Sequence, residues 1–460
     1  MFPNADTIDF HSIRDIPVET LFSHTLVTGT TGSGKSRTVL RPLLRSLLSL
    51  RAADPQVKAG ALILDPKSDL LPMVQGALQQ CGRRDDLIVI GPGADERPWN
   101  PLATQLSPVQ TANMILAAAS TMGQESTNRA RAGERFWELQ DRALLTALVA
   151  LSRQALAAEG SGESLTFQHL HQCRELLTQP ESQLRQWAAQ LAVEIDFAES
   201  ITFLEIAALP DTTRTCIVAS IGSLLQPFVC DPLRAVLQPA PNRSPVDLRN
   251  IFEQGKIVVI NTGFAENALE LLPAQVMIKT AFARLALSRT RWAKNVSRPC
   301  WLFVDEGARC YTAHADSEAS ETNLMDMARS NRVGVIWCAQ NLSALLSLGN
   351  EHLVNKLGAL AATHIFLANT CPATAALAAR SLGTETQHHL HRAVGKSLPP
   401  PLLFPRDGER APESDLGVMV PYEAPILPAS KLARLKPGEM WLRLGHSGEI
   451  HHLQADVVAP

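Results

Sequence analysis

The 460-residue chain has no run approaching eighteen consecutive apolar residues, the length at which a membrane-crossing helix becomes plausible. Its most apolar stretch, Leu357 to Ala368, is interrupted by Thr363 and His364 and reads as a helix end followed by a buried strand. The N-terminus, M-F-P-N-A-D-T-I-D-F-H, lacks the basic-then-apolar pattern of an export signal. There is no C-x-x-C pair. The eight cysteines (Cys81, Cys173, Cys216, Cys230, Cys300, Cys310, Cys338, Cys371) are scattered and read as reduced buried thiols of a cytosolic protein, not as a disulfide frame or zinc site. His388, His389 and His391 have no cysteine nearby and read as solvated loop residues. The formal net charge is only -3, so no global basic field marks the chain for nucleic acid, and any DNA contact must be local. Lysine is missing from residues 106–250, which hold 11 Arg against 15 Asp plus Glu. That acidic segment is a poor platform for phosphates and a better one for a protein partner.

What the chain does have is the pattern G-x-x-x-x-G-K-[ST]. It runs Gly29, Thr30, Thr31, Gly32, Ser33, Gly34, Lys35, Ser36, with Arg37 following. The β-branched run Thr25 to Thr28 before it suits a buried strand, and the spacing of Val39, Leu40, Leu43, Leu44, Leu47 and Leu48 after it suits a helix. Glycines let the backbone wrap an anion, and the helix start adds N–H groups and a positive dipole end. The pattern therefore predicts a triphosphate cradle for ATP, with Lys35 on the β- and γ-phosphates and Ser36 on Mg²⁺.

Further short apolar runs read as strands: Gly60 to Leu64, Leu87 to Ile90, Lys256 to Asn261, Leu302 to Val304, Val333 to Cys338, and His364 to Leu367. Alternating with helical patterns such as Pro273 to Arg289, they predict an α/β fold with a mostly parallel sheet covered on both faces. From about Ser107 to Pro245 the texture turns helical, as in Leu139 to Leu151 and Leu184 to Val193. The expected organisation is residues 1–105 as the first part of the α/β domain, 106–248 as an inserted all-helical domain, and 249–460 as the second part of the α/β domain. Residues 384–430, with Pro399-Pro400-Pro401, read as an arm of little regular structure, and the tail reads as a closing hairpin.

Asp305 and Glu306 end one apolar strand, where ligands bind in open parallel sheets. Asp305 is expected to support Mg²⁺ through its water shell, and Glu306 to orient and deprotonate the attacking water. Gln340, at the end of the next strand, is placed to sense the γ-phosphate or the water. Arg329 and Arg332 lie between these elements. Either could serve a neighbouring subunit as an arginine finger, Arg329 being favoured, or simply cap a helix end.

The segments H-T-L-V-T-G-T-T-G-S-G-K-S, L-I-L-D-P-K-S-D-L, W-N-P-L, R-F-W-E, W-L-F-V-D-E and A-R-S-N-R-V-G-V-I-W-C-A-Q-N resemble the type IV secretion coupling proteins, the TraG/TraD family of conjugative ATPases. The resemblance implies a RecA-like P-loop motor with an all-helical insertion. It also implies a six-subunit ring with ATP at each interface and DNA, expected single-stranded, passing through a central pore. By position, Lys35 and Ser36 would bind nucleotide and Mg²⁺, Asp305 and Glu306 form the Walker B pair, Gln340 act as sensor and Arg329 as finger. A relaxase or other protein cargo is expected on the helical insertion. Most members begin with transmembrane helices. Here the P-loop starts at residue 29, so the expectation is a cytoplasmic protein, peripheral at the inner membrane through a secretion-channel or membrane partner. The expected function is an ATP-hydrolysing DNA-translocating coupling protein. The alternatives are a nucleotide-gated adaptor for protein cargo and a chromosome- or defence-associated motor of the FtsK/HerA kind.

Overall fold

The computed structural model describes residues 6–93, 95–122, 132–160, 162–179, 183, 198–239, 244–262, 269–293, 297–311, 320–346, 351–393 and 416–455. Two short strands, β1 (Thr7–Phe10) and β2 (Ile13–Pro17), form an antiparallel lead-in hairpin. The main sheet is built from β3 (Thr25–Thr28), β4 (Gly60–Asp65), β5 (Leu87–Ile90), β6 (Ile257–Asn261), β7 (Cys300–Val304), β8 (Val333–Ala339) and β9 (Thr363–Phe366). Past β10 (Thr384–Ala393) and β11 (Leu416–Pro425) come β12 (Glu439–Arg443) and β13 (Ile450–Gln454). The nine-stranded order is β13-β12-β9-β3-β8-β7-β4-β6-β5. Its pairings are parallel from β9 through β5, and antiparallel only where β12 joins β9 and β13 joins β12.

The central strands are buried throughout, and their successive side chains enter opposite cores with the two-residue period of a pleat. Leu62, Leu64, Val258, Ile260, Leu302 and Val304 feed one core, shared with the Leu272–Trp292 helix. Ala61, Ile63, Ile257, Val259, Trp301 and Phe303 feed the other, shared with the helices Arg41–Ser49 and Leu71–Gln80 and the lead-in hairpin. This is why the central strands read as continuous apolar runs. Val39, Leu43, Leu44, Leu47 and Leu48, spaced for one helical face, are all buried.

The described residues between 108 and 237 contain only helices, including Pro108–Ala119, Ala132–Glu159, Phe167–Glu175, Ala198–Ala207 and Asp211–Val229. The Leu184 to Val193 helix expected from the sequence lies outside the described residues. The core of these helices, with Ile115, Leu144, Leu148, Ile217 and Phe228, is continuous with one face of the sheet. The W-N-P-L segment fastens the two together. The Trp99 N–H donates to the Val236 carbonyl at 2.9 Å, and the Asn100 side-chain amide donates to the Leu165 carbonyl at 2.8 Å.

Two expectations are corrected. The arm is not irregular on both sides of its proline run: β10 and β11 form an antiparallel ribbon with ten paired positions. Thr384–Ala393 is almost wholly polar and Leu416–Pro425 carries two prolines, so neither strand shows the apolar alternation by which a half-buried strand is recognised. His388 and His389 lie on this ribbon, exposed as expected but in a strand, not a loop. The cysteines are all free, but only Cys300, Cys310, Cys338 and Cys371 are buried; Cys81 and Cys173 are half-buried, and Cys216 and Cys230 are exposed.

His24, just before β3, is buried. Its Nε2–H donates to the Met325 carbonyl (2.6 Å) and its Nδ1 accepts from the Val335 N–H (3.1 Å), pinning β3 to β8. His364 on β9 is buried likewise against the Ala361 carbonyl. Burial holds both imidazoles down at about 4. Their contribution to stability is complete above pH about 6.5, the unfolded value, and is lost as pH falls toward about 4, because the unfolded chain takes up protons the native state refuses. Buried Asp65, pushed up to about 6 by burial, acts in the opposite sense, so the test compares variants. Denaturant unfolding of His364→Gln between pH 6.5 and 4.5 should lose up to about 1.4 kcal/mol per pH unit of the wild-type slope. An unchanged slope would contradict the assignment.

Candidate nucleotide-binding site

Parallel pairing brings the C-terminal ends of β3, β8, β7 and β4 to one edge of the sheet, with β8 between β3 and β7. The Gly29–Ser36 loop leaves β3, Gln340 leaves β8, Asp305-Glu306 leave β7, and Lys67 follows β4. Four segments remote in sequence therefore line one crevice.

The loop is held from below. The Gly29 N–H donates to the Ala339 carbonyl (3.3 Å), and the Thr30 N–H (2.8 Å) and hydroxyl (3.1 Å) both donate to the Ala368 carbonyl. The Gly438 N–H, just before β12, donates to the Ser33 carbonyl at 3.0 Å. Gly34 has φ +98°, and a Cβ there would lie 3.1 Å from the Gly438 nitrogen, so this position needs glycine. A Cβ on Gly29 would meet Ser33 Oγ at 2.6 Å. Thr31, Gly32 and Arg37 are exposed, Ser36 is half-buried and Lys35 is buried. The Lys35 ammonium donates to the Gly29 carbonyl at 2.7 Å, and Ser33 Oγ is buried with no hydrogen-bond partner. Burial pulls the Lys35 ammonium below its usual value, while Glu306 and Asp305 oppose that shift. A buried cation and an unsatisfied hydroxyl in a glycine-lined cradle fit an anion such as a phosphate.

Asp305 is buried, and its carboxylate accepts the Glu306 N–H at 3.0 Å. Burial and the adjacent Glu306 raise its pKa. Glu306 takes a left-handed backbone, φ +51°, which costs a non-glycine residue about 1 kcal/mol. Gly307 makes that turn possible: its N–H donates to the Cys338 carbonyl (2.7 Å), and a Cβ would overlap the Trp337 ring. Glu306 Oε1 is contacted by the Lys67 ammonium and accepts from the Gln340 amide at 2.8 Å. Burial pushes the Glu306 carboxyl up, but Lys67 and Gln340 outweigh it and hold the group below its ordinary value. Glu306 is therefore ionised at neutral pH and able to accept a proton.

Lys35, Ser36, Asp305, Glu306 and Gln340 thus share one crevice. Arg329 does not. It sits exposed at the N-terminal entry to β8, a seven-residue strand away from Gln340, or roughly 20 Å at strand rise. There it lines a cavity of about 600 Å³ with His24, Asp326 and His446. Arg332 is engaged by the Phe22 ring and by Glu19. The sequence reading gave no role to Lys67, Asp65, Gly307 or Gly438. D-P-K stood out as a block, and its place at a strand's C-terminal end was the signal available. Asp65 caps the following turn, its carboxylate accepting the N–H groups of Asp69, Leu70 and Leu71 at 2.8–3.1 Å.

The family model for type IV secretory system conjugative DNA transfer matches residues 10–394. The chain belongs to that family. Solved structures share the fold. The unbound monoclinic form of the bacterial conjugative coupling protein TrwBdeltaN70 is 17% identical, with 99% of this chain and 90% of that chain covered and a TM-score of 0.67. The plasmid coupling protein TrwB in complex with ADP and Mg²⁺ is 16% identical, with 99% and 91% covered and a TM-score of 0.65. VirB4 of Thermoanaerobacter pseudethanolicus is 14% identical, with 99% and 96% covered and a TM-score of 0.53. No curated protein matches the sequence. The protein is a RecA-like P-loop α/β protein, and no helix among the described residues is long and apolar enough to cross a membrane.

Gly34→Ala tests the cradle. A side chain at φ +98° costs about 1–2 kcal/mol and presses on Gly438, so binding of a fluorescent ATP analogue should weaken by about tenfold. Unchanged affinity would mean that the loop does not grip phosphate.

Proposed function

We propose that this protein is an ATP-hydrolysing motor that translocates DNA, or a nucleoprotein, toward a type IV secretion channel. The observation that carries the reading is the meeting of Lys35 with Asp305, Glu306 and Gln340 at one sheet edge. Family membership supplies the process, conjugative DNA transfer. TrwB has been solved with ADP and Mg²⁺ and with a non-hydrolysable ATP analogue, which supports the same ligands here.

In this reading Lys35 exchanges the Gly29 carbonyl for phosphate oxygens, and the loop from Gly29 to Arg37 surrounds the anion. The Ser36 hydroxyl and the Asp305 carboxylate are hard oxygen donors suited to Mg²⁺. The bound ion supplies neutralisation of triphosphate charge. Glu306 takes a proton from the attacking water and Gln340 orients that water. The chemistry is in-line displacement, to which the protein contributes position and charge. Arg329, remote from its own crevice, is assigned to a neighbouring subunit's phosphates within a ring, expected to be hexameric. We assign residues 106–248 to a cargo-receiving insertion, because their excess of acidic residues repels phosphate and suits a basic protein surface. That same acidity favours a second reading, a nucleotide-gated adaptor that recruits protein without pumping DNA.

Glu306→Gln should bind ATP normally and lose hydrolysis by about 10²–10⁴-fold in a steady-state phosphate-release assay. Full turnover would remove the base assignment. ATPase measured with and without single-stranded DNA at low salt separates the motor from the adaptor, since a rate indifferent to DNA selects the adaptor. Arg329→Ala should leave nucleotide binding intact and depress turnover. Mixing it with Glu306→Gln subunits should restore activity at interfaces that pair an intact Glu306 with a neighbour's intact Arg329, whereas an Arg329 acting in cis would leave every mixed site inactive.

A further inference from the structure

Among the described residues, Lys67 contacts the reacting machinery in a way that the nucleotide chemistry leaves unused. Its ammonium meets Glu306 Oε1, the same oxygen that accepts the Gln340 amide. The Glu306 side chain is 8% exposed, whereas that of Lys67 is 34% exposed. The lysine thus closes over the carboxylate from the solvent side. A carboxylate oxygen holding an ammonium and an amide has its lone pairs occupied, and a charge-assisted bond of this kind resists rotation of the side chain. The strained backbone at Glu306 means that this orientation is imposed by its surroundings.

The lysine is itself tethered. Ser68, also left-handed at φ +59°, donates its hydroxyl to Asn261 Oδ1 at 2.6 Å, at the end of β6. The Asn261 amide donates to Glu96 Oε1 at 2.6 Å, and Glu96 Oε2 accepts the Gly93 N–H at 2.7 Å. One residue on, Arg97 donates to the carbonyls of Ser244 and Pro245, where the chain returns from the helical region, and Trp99 bonds Val236. These hydrogen bonds, joined through the neighbouring pairs Lys67–Ser68 and Glu96–Arg97, therefore connect the base of the helical region with the turn that carries Lys67.

Building on Glu306 as the base, we propose that Lys67 is a positioning residue that clamps it in a resting orientation, and that movement of the helical region on its substrate releases the clamp through Glu96, Asn261 and Ser68. The clamp keeps hydrolysis low until substrate engages. Lys67 touches no reacting atom; it acts through Glu306.

Steady-state ATPase of the full chain, without DNA, tests this with Lys67→Met, Lys67→Arg, Asn261→Ala and Glu306→Gln. Losing a charge-assisted bond should raise the basal kcat of Lys67→Met by about tenfold, with KM for ATP within about twofold. Lys67→Arg should return kcat toward wild type. Asn261→Ala, which leaves both the lysine and the carboxylate in place, should also raise basal kcat, and it stands as the test if Lys67→Met fails to fold. A lowered or unchanged basal kcat in Lys67→Met, or, where that variant does not fold, in Asn261→Ala, overturns the clamp. Glu306→Gln that hydrolyses normally would instead overturn the base assignment, so the two failures are distinguishable.

Discussion

Two ammonium groups and two carboxylates crowd the same poorly hydrated sheet edge, and their mutual attraction is what lets any of them stay charged there. Alone, Lys35 would be driven toward neutrality by burial, and Asp305 toward protonation. Together they form a balanced cluster whose members come from β3, β7 and the turn after β4. That balance requires the strands to be parallel and correctly ordered, which in turn requires apolar residues on both faces of every central strand. The apolar runs, the two cores and the strand order thus serve one electrostatic arrangement.

The arrangement is also unfinished. Ser33 Oγ lacks a partner, the Lys35 ammonium leans on a backbone carbonyl, and Asp305 carries a raised pKa. Each of these would be relieved by an incoming anion and its counter-cation. The backbone around them is braced instead: Gly438 on the Ser33 carbonyl, Gly307 on the Cys338 carbonyl, and the Asn369 amide on the Gln340 carbonyl at 2.7 Å. A rigid frame holding polar side chains short of satisfaction is what preorganised binding of a charged ligand demands. The opposite edge of the sheet, with His24 and Arg329, is spatially separate, so the protein offers distinct chemistry at its two ends.

How much of this was legible in the sequence follows from range. The phosphate loop, the acidic pair and the strands were legible because each is carried by contiguous residues whose spacing matches a single local geometry. Gln340 and Asp305-Glu306 could be ordered by their strand ends. The Lys67 contact joins residues 239 positions apart, and no local pattern says that D-P-K meets the acidic pair. Gly438 is another such case, a backbone donor whose side-chain identity carries no signal. The β10–β11 ribbon was missed because its strands, one nearly all polar and the other broken by prolines, carry no apolar alternation, and only their mutual pairing makes them strands. W-N-P-L was legible as a marker and not as a fastener, since its partners Val236 and Leu165 lie within the helical region.

The most direct measurement is a crystal structure of the protein grown with Mg²⁺ and a non-hydrolysable ATP analogue. The account predicts density for one triphosphate and its cation between the Gly29–Ser36 loop and Asp305, with Lys35 turned from the Gly29 carbonyl onto phosphate oxygens. Nucleotide bound elsewhere, or a loop occupied while Asp305, Glu306 and Gln340 face away from it, would contradict the account.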